Sequence, residues 1–263
     1  MSLGLCILIA IFSCKQTGNK KTGQAQRSKQ EDTIQRIALN FFKPLPAIAE
    51  NKDNQVTPEK VKLGKILFYD NRLSKTGNNS CNSCHNLAAF GVDNKATSTG
   101  DVGKQGNRNS PTVFNAALHN MQFWDGRAKD VEEQAGMPIL NSVEMGIPHK
   151  GFLIDKLNGI KMYPEMFKKA FPGEAKPLTY ENLQKAIAAF ERTLLTPSRF
   201  DQYMKGDMNA LTAEEKAGLK VFIKSGCNSC HNGVGIGGGT MRRFGLVTDY
   251  RTLTMSKVND EGR

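Results

Sequence analysis

The sequence predicts a mostly α-helical fold with two similar halves and long loops. Helix-start signals followed by apolar residues at helical spacing recur along the chain, whereas no alternating strand pattern of any length appears. One pentapeptide, Cys-Asn-Ser-Cys-His, occurs twice, at residues 81–85 and 227–231. The 263 residues are enough for about two domains, and one copy of the pentapeptide falls in each half.

The first half contains the clearest helix start. A short helix is expected after residue 31, and the segment Thr57-Pro58-Glu59 then supplies an N-cap, a proline at the first helical position and an acid in the first turn. The apolar face of this second helix consists of Val61, Leu63, Ile66 and Leu67. The helix leads towards the first pentapeptide.

Two helices are predicted in the second half. Thr179 caps one whose apolar residues recur at helical spacing, namely Leu183, Ile187, Phe190 and Leu194, which are most simply core. Residues 212–215 form a capping box for another, which carries Leu219, Phe222 and Ile223 and runs into the second pentapeptide. After the first pentapeptide, residues 91–111 are rich in Gly, Asn, Ser and Thr and indicate a long loop, a kind of segment that is often functional.

The repeated pentapeptide has the spacing of a c-type haem attachment site. Each cysteine sulfur bonds one haem vinyl group, and the adjacent histidine ligates the iron. Two covalent haems are therefore predicted, held by Cys81, Cys84 and His85 and by Cys227, Cys230 and His231. Zinc, a disulfide or a thiol redox pair are alternatives, but none requires a histidine directly after each second cysteine. The predicted fold thus becomes two cytochrome c-like haem domains, in which haem replaces much of each small core.

The N-terminus indicates export. Residues 3–12 form an apolar run of ten residues, about 15 Å as a helix and too short to cross a bilayer core of about 30 Å. Residues 11–14, Ile-Phe-Ser-Cys, resemble a lipobox in which a lipidated Cys14 would hold the protein at a membrane surface. An ordinary cleaved signal is the alternative.

Four regions are expected along the chain. They are a signal peptide with lipobox at 1–14, a polar tether and the start of the first helix at 15–39, an N-terminal haem domain at 40–177 and a C-terminal haem domain at 178–263. The formal charge is +11, but five positive charges lie in residues 15–30, which contain no acid. No basic stripe interleaved with aromatic residues is seen, so no nucleic-acid partner is predicted.

Several ordered segments beside the pentapeptides carry a family resemblance. They are Leu63-Gly64-Lys65, residues 70–74 (Asp-Asn-Arg-Leu-Ser), 108–113 (Arg-Asn-Ser-Pro-Thr-Val), 123–128 (Phe-Trp-Asp-Gly-Arg-Ala), 143–146 (Val-Glu-Met-Gly) and the glycine-rich 233–239. Over about residues 40–263 the chain resembles the bacterial dihaem cytochrome c peroxidases. That family includes the enzyme that matures the tryptophan-derived cofactor of methylamine dehydrogenase.

The resemblance implies an enzyme that reduces hydrogen peroxide to water. The haem of His85 would be the peroxidatic site, and the haem of His231 would receive electrons from a cytochrome c or cupredoxin. Trp124 matches the tryptophan between the two haems, although alone it would be taken for a core aromatic. A homodimer in the periplasm is expected, anchored as a lipoprotein, since covalent haem attachment of this kind resembles bacterial periplasmic assembly.

Three further residues receive roles from the resemblance. Glu144 matches the distal acid–base residue, because peroxide reduction needs a proton moved from one oxygen to the other and a carboxylate in a partly dry pocket can move it. Gln134 matches a glutamine that would orient peroxide or water. Asn109 matches a ligand of a calcium ion between the domains. Without the resemblance they would be a surface acid, a helix-surface residue and a turn residue.

The chain departs from the family pattern in two places. Asp101 stands where the peroxidases commonly carry a histidine that caps the peroxidatic iron at rest, so we hypothesise an uncapped haem that needs no reductive activation. His119 and His149 lie outside that position and are expected to be packing or surface residues. The sequence also stops short of the section that normally supplies a methionine to the second haem, which suggests an incomplete record; Met241 and Met255 do not match that position.

Two alternative functions stay open. One is a cofactor-maturation oxidase of the same family, which acts on a protein side chain at long range and uses a tyrosine as the second axial ligand of its electron-transfer haem. The other is a dihaem electron carrier without catalysis. The carrier is disfavoured by Glu144 and Gln134, since a carrier has no use for an acid–base pocket.

Overall fold

The computed structural model describes residues 33–243 and 245–249 of the chain. Within them lie nine helices: α1 (33–38), α2 (Pro58–Tyr69), α3 (Cys81–Cys84), α4 (Val131–Leu140), α5 (Lys150–Asn158), α6 (Met162–Ala170), α7 (Tyr180–Glu191), α8 (Arg199–Met204) and α9 (Ala213–Lys224). Short 3-10 turns lie at Asn71–Leu73, Ala116–Leu118 and Cys227–Ser229. In this part of the chain β-structure is limited to isolated bridges, so the mostly α-helical prediction is confirmed.

The predicted helix starts are confirmed. The hydroxyl groups of Thr57, Thr179 and Thr212 each accept a hydrogen bond from the backbone N–H three residues later, at 3.3, 3.1 and 3.2 Å. At α9 the Thr212 N–H also donates to Glu215 Oε2 at 2.8 Å, which completes the predicted capping box. Helix α7 ends at Glu191, so Leu194 lies beyond its last turn, although it still packs against the same core.

The larger hydrophobic cluster is built around α2 and α7. Leu63 and Leu67 from α2 and Leu183 and Ile187 from α7 are fully buried, and each contributes about 1.5–3 kcal/mol on burial. A methyl group at Gly64 would lie 1.8 Å from the Ala186 carbonyl oxygen. The two helices therefore approach closely at a position that only glycine can occupy. Helices α4, α5 and α6 complete this cluster.

The smaller cluster joins the start of the described chain to its later helices. Ala38 and Phe42 pack with Tyr203, Met204 and Ala210, and Leu219, Phe222 and Ile223 of α9 pack partly buried against them. Phe42 also forms a bridge with Gly233, just beyond the second pentapeptide. This cluster therefore fixes α9 and the second pentapeptide to residues near 42.

Each pentapeptide adjoins one cluster. Cys81 packs against the larger cluster, whereas the His231 ring lies edge-on to Phe222 of the smaller one, with centroids 6.0 Å apart. Helix α7 packs in the larger cluster although it lies beyond residue 178, and the domain bounds at 40–177 and 178–263 stay a prediction. The expected signal peptide and most of the tether lie outside the described residues. Among the helices that are described, none is long and apolar enough to cross a bilayer.

Candidate haem attachment sites

The first pentapeptide forms a single helical turn. Residues Cys81–Cys84 are helix α3, and the Ser80 N–H donates to Ser83 Oγ at 3.0 Å at its start. The His85 N–H donates to the Cys81 carbonyl at 2.9 Å, which closes the turn. Cysteines three residues apart on a helical turn share a face, and both thiols are free. This turn can present two sulfurs and the following imidazole to one planar group.

The His85 ring is held in one orientation. Its Nδ1 lies 3.0 Å from the Pro111 carbonyl oxygen and donates to it, which leaves Nε2 with a lone pair for a metal. Burial lowers the pKa of His85, so the imidazole stays neutral, as ligation requires. Pro111 belongs to the 108–113 segment that carries the family resemblance. Its carbonyl is thus a partner that sequence reasoning did not assign.

The thiol groups argue against the alternatives to haem. Burial raises the pKa of both Cys81 and Cys84, which disfavours the thiolate that thiol exchange uses. Over residues 33–243 and 245–249, no three His, Cys, Asp or Glu side chains converge in a way that could hold a metal ion. The donors of the first pentapeptide therefore fit a covalently attached c-type haem.

The second pentapeptide lies at the surface. Cys227 and Cys230 are exposed free thiols, and His231 Nδ1 lies 3.3 Å from the Ile236 carbonyl oxygen. The glycine-rich segment that follows is fixed to residues 41–43, because the Gly233 N–H donates to the Phe41 carbonyl at 2.8 Å and the Lys43 N–H donates to the Gly233 carbonyl. The same donor set recurs here, with a histidine ring that is again oriented by a backbone carbonyl.

Glu144 lies in the turn after α4. The Asn141 side-chain amide donates to Glu144 Oε1 at 2.7 Å, and Asn141 Oδ1 accepts from the Val143 N–H at 2.9 Å. Burial raises the pKa of Glu144, and this effect outweighs the opposing charge of Arg127 and the hydrogen bond from Asn141. The charge of Glu144 in turn helps to raise the pKa of Cys84. Glu144 therefore lies electrostatically close to the first pentapeptide.

Asp101 connects the long loop to the residues before the first pentapeptide and to the Glu144 turn. It is only 5% exposed, and its carboxylate accepts from the Thr76 N–H at 2.7 Å and the Asn78 N–H at 2.9 Å. Its own N–H donates to the Glu144 carbonyl at 2.7 Å. A methyl group at Gly100 would lie 1.7 Å from the Val143 carbonyl oxygen, so the loop packs directly on the Glu144 turn. Asp101, which was predicted to stand at the position of a capping histidine, thus joins residues 76–78 to the Glu144 turn.

Trp124 and Asn109 are directly hydrogen bonded. The indole Nε1 of the half-exposed Trp124 donates to the Asn109 carbonyl oxygen at 2.9 Å. Asn109 is only two residues from Pro111, whose carbonyl accepts from His85. The described residues bring no group of three acidic, histidine or cysteine side chains to Asn109 for a cation, so calcium there stays a prediction.

The remaining residues considered in the sequence are Gln134, two histidines and two methionines. Gln134 lies half-buried on α4, and its proposed contact with peroxide stays a prediction. His149 caps α5, where its Nδ1 accepts from the Phe152 N–H at 3.1 Å. The His119 ring packs on Gly238, where a methyl group would lie 2.4 Å from it. Met255 lies outside the described residues, and Met241 packs against Gly126.

Sequence reasoning missed the partners of Glu144. Asn141 precedes it by three residues and bonds both its side chain and the backbone between them. That spacing of an Asn before a Glu is a turn signal that could have been recognised. Arg127 comes from a distant segment, and nothing local in the sequence connects it with Glu144.

The fold and these sites define a helical protein with two c-type haem attachment segments. A family model described as di-haem cytochrome c peroxidase matches residues 58–209. The chain is 48% identical to the cytochrome c551 peroxidase of Pseudomonas aeruginosa over 83% of its length and 46% identical to that of Nitrosomonas europaea over 85%. The chain therefore belongs to the di-haem cytochrome c peroxidase family. This membership confirms the predicted resemblance and implies two c-type haems.

Other relatives and solved structures agree with this family. The MauG methylamine utilization protein of Methylorubrum extorquens is 35% identical over 80% of this chain and 59% of its own length. A solved MauG-like protein associated with microbial copper homeostasis is 31% identical, with a TM-score of 0.64 over 72% of this chain and 56% of that one. The chain spans 63% of the Pseudomonas relative and 70% of the Nitrosomonas relative.

Proposed function

We propose that this chain belongs to a dihaem peroxidase that reduces hydrogen peroxide to water with electrons from a small cytochrome c or cupredoxin. Three relatives named as cytochrome c peroxidases are 42–48% identical to it. Three relatives named MauG are 34–35% identical. The higher identity favours peroxide reduction over the cofactor-maturation alternative.

The environment of Glu144 is the observation that carries this proposal. It combines burial, a raised pKa, a fixed hydrogen bond from Asn141 and electrostatic proximity to Cys84. An electron carrier needs no such group, whereas peroxide reduction needs an acid–base residue whose pKa lies nearer neutral pH than that of an ordinary carboxyl.

The chemistry divides between the haem and the side chains. A haem bound at the first pentapeptide would supply the redox chemistry, and overall two protons and two electrons convert one peroxide into two waters. Glu144 takes a proton from one peroxide oxygen and returns it to the departing oxygen. Asn141 holds the carboxylate, the nearby Arg127 favours its ionised form, and Gln134 would orient peroxide or water.

The two haems would have different tasks. The haem of His85 would reduce peroxide, because Glu144 lies near that pentapeptide, and the haem of His231 would receive electrons at its exposed position. Trp124 would relay electrons between them. In support, Trp124 and His85 both bond the carbonyls of the short 109–111 segment, which gives a continuous bonded connection between them.

Peroxide turnover by the Glu144→Gln variant tests the proposal. With a reduced cytochrome c as donor, we expect kcat to fall by about 10²- to 10⁴-fold, since the amide cannot transfer the proton. Glu165→Gln is the matched control, because Glu165 is an exposed glutamate on α6, and it should keep wild-type turnover. Wild-type turnover in a haem-loaded Glu144→Gln protein would contradict the proposal.

The cellular setting is also proposed. The predicted export signal and covalent haems favour a periplasmic location. A lipidated Cys14 would anchor the protein at a membrane surface, and the family resemblance implies a homodimer and an Asn109-bound calcium ion. Cys14 lies outside the described residues. Mass spectrometry of the mature N-terminus tests the anchor, calcium analysis of the purified protein tests the ion, and light scattering tests the dimer.

A further inference from the structure

Trp124, the only tryptophan of the chain, lies on the short turn formed by residues 122–128. Because about half of its surface is in contact with solvent, packing alone does not fix the ring. A hydrogen bond from its Nε1 to the Asn109 carbonyl at 2.9 Å gives the indole a defined partner. The orientation of the indole therefore depends on the residues that hold this turn against residue 109.

Asp125 makes a second connection between the same two segments. Its Oδ2 lies 3.1 Å from a terminal nitrogen of the Arg108 guanidinium. Arg108 precedes Asn109, and Asp125 follows Trp124, so the ion pair lies directly beside the indole hydrogen bond. The side chains of Arg108 and Asp125 are only 27% and 26% exposed, which partly shields their attraction from solvent. Two adjacent connections fix the turn on the 108–109 segment more firmly than the indole bond alone.

Asp125 also connects residues within its own turn. A terminal nitrogen of Arg127 lies 2.9 Å from each Asp125 carboxylate oxygen, and the Arg127 backbone N–H donates to Oδ1 at 3.3 Å. The Arg127 guanidinium carbon lies 3.5 Å from the centroid of the Phe123 ring, in a cation–π contact. Asp125 therefore holds Arg127 over the residue that precedes Trp124.

The backbone of Phe123 needs such support. Its φ is 65°, in the left-handed region that is unfavourable for a bulky side chain. The Gly126 N–H donates to the Phe123 carbonyl at 3.1 Å, and the Gln122 N–H donates to the Ala128 carbonyl at 2.7 Å. A strained residue persists only where the surrounding structure holds it. The contacts of Asp125 and Arg127 are part of what holds the turn that carries Trp124.

The carboxyl group of Asp125 is ionised at neutral pH. Burial opposes its ionisation, but the hydrogen bonds and charge of Arg127, together with the charge of Arg108, outweigh burial and lower the pKa of Asp125. Replacement of Asp125 by asparagine would keep the shape of the side chain and remove the charge that both arginines pair with. This substitution therefore separates the ion pairs from simple packing.

We propose that Asp125 is the positioning residue of Trp124, and that its ion pairs with Arg108 and Arg127 keep the indole N–H on the Asn109 carbonyl. Asn109 lies two residues before Pro111, whose carbonyl orients the His85 ring. Loss of the Asp125 charge would thus release the indole from the segment that also orients the ligand of the first haem. The importance of this position for electron transfer rests on the relay through Trp124 in the proposed function, whereas the position itself does not.

Hydrogen–deuterium exchange at the indole N–H tests the proposal in the haem-loaded protein. Ultraviolet resonance Raman spectra after rapid mixing with deuterium oxide follow this exchange, and one tryptophan gives one set of indole bands. We expect Asp125→Asn to exchange at least about tenfold faster than wild type, because the hydrogen bond opens more often. Asp155→Asn removes an exposed carboxylate on α5 and should exchange at the wild-type rate. A wild-type exchange rate in Asp125→Asn would overturn the proposal.

A measurement on the wild-type protein covers the case in which Asp125→Asn does not fold. The indole N–H of wild type should exchange more slowly than that of N-acetyltryptophanamide under the same conditions, since its hydrogen bond to Asn109 has to open first. Exchange as fast as in this free indole compound would overturn the proposal without any variant.

Electron transfer between the two haems measures what the position of the indole does. After rapid reduction of the second haem, electron equilibration followed by absorbance should be about 10- to 100-fold slower in Asp125→Asn than in wild type, because the relay group is misplaced. Slow equilibration in Trp124→Phe together with a wild-type rate in Asp125→Asn would overturn the inference. A wild-type rate in Trp124→Phe would instead refute the relay in the proposed function, and fast indole exchange in Asp125→Asn would still support the positioning role.

Discussion

Asn141 and Glu144 form a hydrogen-bonded pair in which the amide Nδ2 donates to the carboxylate Oε1 at 2.7 Å. This bond favours the ionised carboxylate, whereas burial favours the protonated form and prevails, so the pKa of Glu144 is raised. Burial and this hydrogen bond together therefore set the pH range in which Glu144 is ionised and can accept a proton.

We expect Asn141→Ala to raise the pKa of Glu144 further. Since Glu144 must be ionised to accept a proton, the acidic limb of the kcat/KM profile should move to higher pH, with about tenfold less activity below neutral pH for each pKa unit gained. Activity should recover at alkaline pH. Steady-state kinetics over pH 5–9 with thermal unfolding as the folding control measures this, in a range chosen around neutrality. An acidic limb at the wild-type position would contradict the assignment.

The Asp101 carboxylate should stabilise the fold at neutral pH. Burial opposes its ionisation, but the hydrogen bonds from Thr76, Asn78 and Ser74 outweigh burial and keep its pKa below the usual value. The stabilisation is therefore present above the unfolded-state pKa and is lost as pH falls through the folded-state pKa.

Asp101→Asn should lower the free energy of unfolding by about 1.5–3 kcal/mol at pH 7, the value of hydrogen bonds to a charged group. The difference from wild type should shrink near pH 3. Urea unfolding at both pH values measures it, with the exposed Asp155→Asn on α5 as the control. A deficit that is equal at both pH values would show that ionisation is not its source.

Because Asp101 stands where a capping histidine is expected, we predict that the oxidised protein is active without prior reduction. The Asp101 side chain is held by the backbone of residues 76 and 78, and residues 98–106 contain no histidine. Peroxide consumption should therefore start without a lag, whether or not the protein has been reduced beforehand. Stopped-flow assays of both preparations measure this. A bis-histidine low-spin spectrum of the first haem, or a lag removed by reduction, would refute the prediction.

Local patterns predicted the helices, and long-range contacts decided the site. The caps at Thr57, Thr179 and Thr212 depend on residues three apart, so the sequence was sufficient to predict them. The tie of Asp101 to Thr76 and to Glu144 joins segments far apart in the chain, and no local propensity encodes such a contact. The haem attachment residues could be proposed from the sequence because their chemistry requires a contiguous motif, whereas the bond from His85 to the Pro111 carbonyl joins residues that are 26 positions apart.

The buried pair of Arg192 and Glu132 should be important for stability. Their side chains are 6% and 14% exposed, and removal of one partner leaves the other charge buried. Arg192→Ala should cost about 3–5 kcal/mol of unfolding free energy. Lys150→Ala, which breaks the exposed pair with Glu181, should cost about 0–1 kcal/mol. Equal losses in denaturant titrations would contradict the distinction between the two pairs.

Gly100 should be required for the position of Glu144. A methyl group there would lie 1.7 Å from the Val143 carbonyl oxygen and 2.8 Å from that of Glu144, and backbone atoms cannot move aside as a flexible side chain could. Gly100→Ala should therefore displace the Glu144 turn, destabilise the protein by about 1–3 kcal/mol and lower peroxide turnover more than tenfold. Gly106→Ala lies in the same loop, where the nearest atom to the new methyl group is 3.5 Å away. It should keep near wild-type stability and turnover. If the two variants lost activity equally, close packing of Gly100 on the Glu144 turn would not be the cause.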